Sequence, residues 1–309
     1  MDKLLLLLTV LVWGATAAAF AARAVWVCEL ATHFRAQYAA LLMLSAAGLL
    51  FLHHPAWAAA AGLGGAINLA ILLPTYGRMT LPSRPQRPGI KALLMNVNFR
   101  NQDYESTLNL IHLTRPEFVA IIEVTRVWQD QLATLREIYP YTEGVALRSG
   151  WGMLLLSRLP FQHSRTVRRR ERGIPYVLAE VQIKGRPVTI ILTHPYAPST
   201  RRQAHDRNRQ FDALARIVSQ VDPPVLVFGD LNCSPWSPFF SRLLRATGLR
   251  DSRHGFGLQP TWPARNPLLG IPIDHCLVSP EITVHDRRVG PGMGSDHWPV
   301  FVEFSVESA

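Results

Sequence analysis

The sequence is poor in cysteine and in acidic residues, and both shortages narrow what the chain can be. Its three cysteines, Cys28, Cys233 and Cys276, form no Cys-x-x-Cys pair and no disulfide framework, so we interpret them as packing residues. The sequence contains 22 Asp and Glu and 32 Lys and Arg, which gives a formal net charge of +10. A basic surface suits nucleic acid, phosphorylated metabolites or lipid headgroups, although an arginine-rich source genome would produce the same excess.

Charged residues are also scarce in the first 80 positions, where three apolar runs occur instead. The runs are Leu4–Ala22, Tyr38–Leu52 and Pro55–Tyr76. Roughly 20 apolar residues at a rise of ~1.5 Å each cross the hydrocarbon core of a bilayer. Residues 1–78 are therefore predicted to form an anchor of three transmembrane helices, of which the second and third make a tight hairpin.

Two alternatives to this anchor explain less of the sequence. A cleaved signal peptide would account for the first run but would leave the other two unexplained. A water-soluble helical hairpin would need a polar face, which the runs do not provide. The side of the membrane is less clear, because Arg23, Arg35 and the arginines after the third run would share one side. By their count, the rest of the chain would lie in the cytoplasm.

Residues 79–90 include the stretch LPSRPQRPG, whose proline and arginine content predicts an extended tether. From residue 91 to residue 309, short apolar runs alternate with segments of helical spacing. Phe118–Ile122 and Val225–Phe228 are examples of predicted strands, and Arg201–Val221 is a predicted amphipathic helix. This alternation predicts an α/β domain in which two sheets pack together and helices flank them.

Polar side chains follow or precede these apolar strands at six places. A single polar residue at a strand end is ordinary, but strand ends on one edge of a sheet converge in space. The side chains are carboxylates and amides, which suit Mg²⁺ or Mn²⁺, and imidazoles, which exchange protons. This combination predicts hydrolysis of a phosphate ester. The residues are Asn96, Glu123, His194, Asp230, Asn232, Asp274, Asp296 and His297.

Three of these segments carry motifs in a recognisable order. GDLN occupies residues 229–232, Ile273-Asp274 follows, and SDHWPV occupies residues 295–300. With MNVN, IIEVT, LLLSRLP and THPYAP upstream, the chain resembles the endonuclease/exonuclease/phosphatase superfamily, which includes deoxyribonuclease I, over about residues 91–304. The resemblance implies a two-sheet αββα sandwich. The three-helix anchor and tether are similar to a bacterial membrane-anchored subgroup.

The resemblance also implies a divalent-metal site that binds Mg²⁺ or Mn²⁺. Glu123 would be the principal ligand, Asn96 would assist it, and Asp296 would lie beside the metal. The chain departs from the pattern at Asn98, where some abasic-site endonucleases have a metal-binding aspartate. A second metal contact at that position is therefore in doubt.

The catalytic roles implied by the resemblance fall on five residues. Asp230 would orient or deprotonate the attacking water, and Asn232 and His194 would contact the phosphate. His297 would face the scissile phosphate, while Asp274 would orient its ring and support its positive charge. By contrast, His275 is expected to point to the opposite face of its strand and to have a structural role.

Three hypotheses about function remain open from the sequence. The first is a nuclease, in which the Arg165–Arg172 run and the arginines of 201–209 grip the phosphate backbone; no aromatic residues interleave with them to stack on bases. The second is a hydrolase of lipid or small phosphoesters held near them by the anchor. The third is a catalytically idle binding module, which the complete set of site residues disfavours. No protein partner is inferred.

The resemblance and the charge count disagree about location. The bacterial subgroup implies a multi-pass inner-membrane protein with its catalytic domain in the periplasm, whereas the arginine count places that domain in the cytoplasm. We expect the periplasmic orientation, because an unrestrained nuclease facing the chromosome would be hazardous.

Overall fold

A computed structural model describes residues 2–77, 89–168 and 174–307. Three long helices at the N-terminus precede an α/β sandwich of two six-stranded sheets. The predicted fold class is therefore confirmed. The predicted tether lies outside the described residues except for Gly89 and Ile90, and so does the part of the arginine run from residue 169 to residue 172.

The N-terminal bundle, residues 2–77, consists of helices α1 to α4. Its helical stretches Asp2–Ala21, Trp26–Phe51 and Pro55–Tyr76 are each long and apolar enough to cross a membrane, as predicted. Pro55 begins the last of them at a position where its missing N–H costs no hydrogen bond. The helices are α1 (Asp2–Phe20), α2 (Trp26–Leu30), a 3₁₀ turn (Ala31–Phe34), α3 (Arg35–Phe51) and α4 (Pro55–Tyr76).

Buried polar side chains join the three long helices of this bundle. Arg35 Nη1 donates to Asn68 Oδ1 at 3.0 Å, and Asn68 Nδ2 donates to Thr16 Oγ1 at 3.0 Å. The Arg35 guanidinium also lies over the ring of Phe20. Polar groups between apolar helices are stabilised by such contacts across the interface. The chain therefore fixes the relative positions of α1, α3 and α4 with a small internal network.

The first sheet has the strand order β11-β12-β1-β2-β4-β3. Only β1 and β2 are parallel within it, and the helix between them, α5, makes the crossover. The outer face of the sheet is covered by α5 (Tyr104–Thr114) and α6 (Arg126–Leu132), with Trp128 of α6 fully buried. Its strands are β1 (Ile90–Asn96), β2 (Phe118–Ile122), β3 (Tyr141–Val145), β4 (Met153–Ser157), β11 (Ile282–Val289) and β12 (Val300–Val306).

The second sheet has the order β5-β6-β7-β8-β10-β9 and repeats this design. Its single parallel pair is β7–β8, and α7 makes the crossover. Helices α7 (Arg201–Val218) and α8 (Pro238–Thr247) cover the outer face. Its strands are β5 (Phe161–Arg168), β6 (Pro175–Ile183), β7 (Arg186–Thr193), β8 (Val225–Asp230), β9 (Arg250–Asp251) and β10 (Asp274–Val278).

The two sheets pack face to face over one apolar core. Leu94 and Phe118 contribute from the first sheet, and Ile190 and Phe228 contribute from the second; all four are fully buried or nearly so. Burying a large aliphatic or aromatic side chain stabilises a fold by about 1.5–3 kcal/mol. This core holds the sheets at a fixed spacing, so groups at the same end of both sheets keep fixed relative positions.

The topology brings one end of each sheet to the same place. β1 and β8 each end in a polar residue, Asn96 and Asp230. Because β10 runs antiparallel to β8, its first residue Asp274 lies directly opposite Asp230. Gly229 is required beside this pair, since a Cβ there would overlap the carbonyl oxygen of Thr193 in the neighbouring strand. The strand ends thus surround a single space.

Candidate active site

A cavity of about 640 Å³ opens where the ends of the two sheets meet. A cavity of this size, with a few convergent polar groups, suits a small-molecule site. Five of the eight predicted residues line the cavity: Glu123, His194, Asp230, Asn232 and His297. The other three, Asn96, Asp274 and Asp296, hydrogen-bond to residues that line it.

Asn96 lies at the centre of this group. Its Nδ2 donates to Glu123 Oε1 at 2.9 Å and to Asp230 Oδ2 at 3.3 Å, and lies 3.4 Å from His297 Nε2. The backbone N–H of Asn98 donates to Asn96 Oδ1 at 3.0 Å and fixes which way the amide points. A single buried amide therefore connects Glu123, from the first sheet, with Asp230, from the second.

His297 and Asp274 form a closely held pair. His297 Nδ1 lies 2.9 Å from Asp274 Oδ2, which leaves Nε2 facing the cavity, 3.8 Å from Asp230 Oδ2. The Ser295 hydroxyl accepts from the His297 backbone N–H and donates to the carbonyl of Asn96. Burial opposes protonation of the ring, but the charge and hydrogen bond of Asp274, with Asp230 beyond it, raise the pKa of His297 to about 10. His297 is held as an imidazolium.

His194 and Asn232 lie on the other side of Asp230. His194 Nε2 is 3.6 Å from Asp230 Oδ2, and the backbone N–H of Asn232 donates to Asp230 Oδ1 at 2.8 Å. Burial opposes the charged forms of both His194 and Asp230. Their mutual interaction nevertheless raises the pKa of His194, although the nearby His297 opposes this rise. The same interaction, together with His297, lowers the pKa of Asp230. Asp230 is therefore an ionised carboxylate between two imidazoles.

Three non-glycine residues of the site adopt left-handed backbone conformations. The φ angles are 53° at Asn98, 66° at Glu123 and 49° at Asn232. Such conformations cost on the order of 1–3 kcal/mol each and persist only where the surroundings impose them. At Glu123, the backbone N–H of Phe99 donates to the carboxylate at 3.0 Å, which holds the side chain against the cavity.

The donor set fits a hard divalent cation. Four carboxylates, from Glu123, Asp230, Asp274 and Asp296, converge on this region, and carboxylate and amide oxygens are the ligands that Mg²⁺ and Mn²⁺ prefer. Ligand atoms of Asp230, Asp274 and His297 lie within 4.8 Å of one another, so this trio is one geometric candidate. Its His–Asp hydrogen bond, however, suits proton transfer better than ligation. Glu123 has no imidazole bonded to it, and its carboxylate instead accepts from Asn96 Nδ2 and from the backbone N–H of Phe99.

Asp296 lies beside this region, and both of its carboxylate oxygens accept hydrogen bonds from protein side chains. Its Oδ1 accepts from Asn98 Nδ2 at 2.7 Å, and its Oδ2 accepts from Trp262 Nε1 at 3.0 Å. Asn98 is the position where the sequence pattern of some abasic-site endonucleases has an aspartate. Here it donates a hydrogen bond to Asp296, the residue that is predicted to lie beside the metal. The sequence pattern alone did not identify Trp262 as part of the site.

Other residues of the cavity wall were also missed from the sequence. The ring of Trp151 lies 5.0 Å from that of His194. Ser295, which orients His297, belongs to the SDHWPV motif and could have been found there. Leu30 and His33 of the N-terminal bundle also line the cavity. No local sequence signal marks them, because they reach the site only through the tertiary fold.

Several other residues have packing roles. His275 is buried on the opposite face of β10, with its ring 4.6 Å from that of Phe240, as expected. The ring of Tyr196 packs edge-on against Trp151. Burial raises the pKa of Cys233 and of Cys276 to about 12, so both thiols stay protonated.

Comparisons with known proteins agree with this geometry. The model of the endonuclease/exonuclease/phosphatase family matches residues 93–297. A search of curated proteins finds no match. Among solved structures, D. rerio TDP2 complexed with a single-strand DNA product has a TM-score of 0.60 at 16% identity, over 70% of this chain and 99% of that one.

Two bacterial structures match over about the same share of this chain. An endonuclease/exonuclease/phosphatase from Beutenbergia cavernae has a TM-score of 0.59 at 20% identity, over 71% of this chain and 72% of that one. Sphingomyelinase C from Streptomyces griseocarneus has a TM-score of 0.53 at 16% identity, over 70% and 99%. At these identities the likeness establishes the fold.

The sandwich and the carboxylate–imidazole cluster at its edge define a phosphoesterase of the α/β sandwich class. Since the family model covers most of the sandwich, the chain belongs to the endonuclease/exonuclease/phosphatase family, whose members are phosphoester hydrolases.

Proposed function

We propose that this protein is a divalent-metal-dependent phosphodiesterase, held at a membrane by residues 1–78, with its catalytic domain in residues 91–309. The observation that carries the proposal is the Asn96 amide, which lies within hydrogen-bonding distance of Glu123, Asp230 and His297 at once. Groups from far-apart segments thereby meet at one cavity, as metal-assisted hydrolysis requires.

Glu123 is the principal residue that would hold the cation, with Asp296 beside it and Asn96 as a further oxygen ligand. Nδ2 of Asn96 faces Glu123 and Oδ1 accepts from the backbone N–H of Asn98, so ligation through Oδ1 would require the side-chain amide to turn over. A bound Mg²⁺ or Mn²⁺ would supply Lewis-acid stabilisation of the negative charge on the phosphoryl oxygens.

Asp230 is the base in this scheme. It is an ionised, buried carboxylate, and it lies within 4 Å of both imidazoles, so it can orient a water molecule and accept its proton. Attack of that water on phosphorus forms a P–O bond and breaks the ester bond on the opposite side. Asn232 and His194 bind the non-bridging phosphate oxygens.

His297 stabilises the charge that develops on the phosphate. Its Nδ1 is bonded to Asp274, so its Nε2–H is directed toward the cavity. A group held as an imidazolium donates a charge-assisted hydrogen bond to a phosphoryl oxygen or a proton to the departing alkoxide. Asp274 keeps the ring in this orientation.

The test uses the full-length chain in detergent with bis(p-nitrophenyl) phosphate, a soluble diester. We expect turnover with Mg²⁺ or Mn²⁺ and none with excess EDTA. Absence of turnover of this diester, of a single-stranded oligonucleotide and of vesicle phospholipid with both cations, in a folded preparation, would refute the proposed function.

We further propose that the chain is a multi-pass bacterial inner-membrane protein with its catalytic domain in the periplasm. Support comes from the three helical stretches that are long and apolar enough to cross a bilayer. Three crossings would put Asp2 and the sandwich on opposite sides of the membrane. Alkaline phosphatase fused to the C-terminus would be active in that orientation and inactive if the domain faced the cytoplasm.

A further inference from the structure

The N-terminal bundle forms part of the cavity wall. Leu30, at the end of α2, and His33, in the 3₁₀ turn, line the cavity together with Asp230 and His297. The backbone N–H of Ser234, in the loop that follows β8, donates to His33 Nδ1 at 3.3 Å. The segment that leads into the second long helix therefore lies directly against the catalytic loop.

A second contact places another part of the cavity wall beside the start of helix α3. Gln37, in the first turn of α3, donates through Nε2 to the carbonyls of Leu268 and Gly270 at 3.2 and 3.0 Å. Ile271, the next residue, lines the cavity. The wall of the cavity therefore extends to the first turn of α3, which is near the membrane surface if α3 crosses a bilayer.

Apolar side chains are exposed at this level. Leu268 is 85% exposed and Leu269 is 49% exposed, in the loop whose carbonyls bond to Gln37. Exposed leucines in water are unfavourable, but at the boundary of a bilayer they contact lipid. Their position beside α3 is consistent with a loop that rests on the membrane.

The composition of the cavity wall favours a lipid over a nucleic acid. Besides the catalytic groups, the wall consists largely of apolar and aromatic side chains, including Leu30, Phe99, Trp151, Trp262 and Ile271. None of the described residues that line it is Lys or Arg. Proteins that bind a polyanionic backbone use several Lys or Arg contacts to phosphates, whereas a lipid phosphodiester presents one phosphate next to apolar chains.

From these contacts we infer that the substrate is a phosphodiester of a membrane lipid, taken from the bilayer in which the protein is anchored. The inference rests on the proposed function. Water adds to phosphorus and one P–O ester bond breaks, so the products are an alcohol and a phosphomonoester. The phosphate binds at Asn232 and His194, and the apolar portion lies along Leu30 and Ile271.

The experiment reconstitutes the full-length chain into vesicles of phosphatidylcholine and phosphatidylglycerol with Mg²⁺ or Mn²⁺. Mass spectrometry follows the loss of diester and the appearance of the alcohol and the phosphomonoester. Bis(p-nitrophenyl) phosphate and a single-stranded oligonucleotide are offered in parallel, and a His297→Ala preparation controls for contaminating hydrolases. We expect hydrolysis of vesicle lipid that requires the cation and is absent from the variant.

A pair of variants tests the wall itself. Leu30→Asn should lower the ratio of the lipid rate to the soluble-diester rate by about tenfold, the usual effect of losing an apolar contact in a binding pocket. Leu113→Asn makes the same change at a leucine that is 84% exposed on α5, and should leave that ratio unchanged. If Leu30→Asn does not fold, the rates of lipid and oligonucleotide hydrolysis by the wild-type protein still test the lipid assignment.

The outcomes separate the two proposals. Hydrolysis of the soluble diester or the oligonucleotide with intact vesicle lipid would overturn the lipid assignment and leave the phosphodiesterase standing. Failure on all three substrates would overturn the proposed function, and the lipid assignment with it.

Discussion

Glu29, in the N-terminal bundle, and Arg207, in α7 of the sandwich, form an ion pair that is completely buried. Arg207 Nη2 donates to Glu29 Oε2 at 2.5 Å, and neither side chain is exposed. Glu29 Oε1 accepts from the Ser237 hydroxyl at 2.7 Å, and Arg207 Nη1 donates to the carbonyl of Asn232 at 3.1 Å. The pair thus connects the bundle with the loop that carries a predicted phosphate contact.

Removing one partner of this pair should strongly destabilise the protein. Glu29→Ala leaves the Arg207 charge buried without a counter-charge, and such changes typically cost about 3–5 kcal/mol. We expect a corresponding fall in the free energy of unfolding of the full-length chain in detergent, measured by denaturant titration.

The surface pair Arg242–Asp212 provides the matched control. Its atoms are 3.0 Å apart, but about half of each side chain is exposed. Asp212→Ala should change stability by no more than about 1 kcal/mol, because exposed ion pairs contribute little. Equal effects of Glu29→Ala and Asp212→Ala would show that the bundle does not dock as described.

Replacing Asp274 should change the protonation of His297. Asp274 raises the pKa of His297 by its charge and its hydrogen bond, so Asp274→Asn should lower that pKa below about 10, and the imidazole should lose its proton at a lower pH. The measurement is an NMR titration of ¹³C-labelled histidines in EDTA, with the His297 signal assigned by its absence from His297→Ala.

The same substitution should reduce kcat with bis(p-nitrophenyl) phosphate by about 10²–10⁴-fold, the usual range for losing general acid–base catalysis. An unchanged His297 titration in Asp274→Asn would mean that Asp274 does not support the imidazolium. Retention of full kcat would mean that the pair has no role in turnover.

Changing Glu123, the proposed principal metal ligand, should weaken cation binding. Glu123→Gln keeps the size of the side chain and removes its charge, so activity should require a much higher Mg²⁺ or Mn²⁺ concentration, with no matching change in the unfolding midpoint. The matched control is Glu105→Gln on α5, which removes an exposed carboxylate. If both variants responded to the cation like the wild type, Glu123 would not be the ligand.

The sequence predicts the buried strands well and the docking of the bundle not at all. Strand β2 has the predicted bounds, and β8 contains the predicted strand Val225–Phe228 and the two residues after it, because both strands are apolar runs that are buried throughout. Strand β5 is not predicted, since its residues are largely exposed and polar. The polar residues Glu29, His33 and Arg35 lie between the first two apolar runs, but the segment that holds them is helical and all three are buried.

The strands are predictable and the docking of the bundle is not, for a physical reason. The polarity of Glu29 is satisfied by Arg207, nearly 180 positions away in the sequence, so no local pattern identifies the contact. The eight site residues are identifiable because each stands at a strand end, where the fold makes them converge. Trp151 and Trp262 come from loops without such a pattern, and only the assembled structure places them at the cavity.

The most direct test compares two site variants with the wild-type chain. Asp230→Asn removes the proposed base and His297→Ala removes the proposed imidazolium, while the sandwich core of Leu94, Phe118 and Phe228 is untouched. We predict that each variant loses hydrolysis of bis(p-nitrophenyl) phosphate with Mg²⁺ or Mn²⁺ but keeps the wild-type circular dichroism spectrum. If both variants turned over at the wild-type rate, the assignment of Asp230 and His297 to the active site would be contradicted.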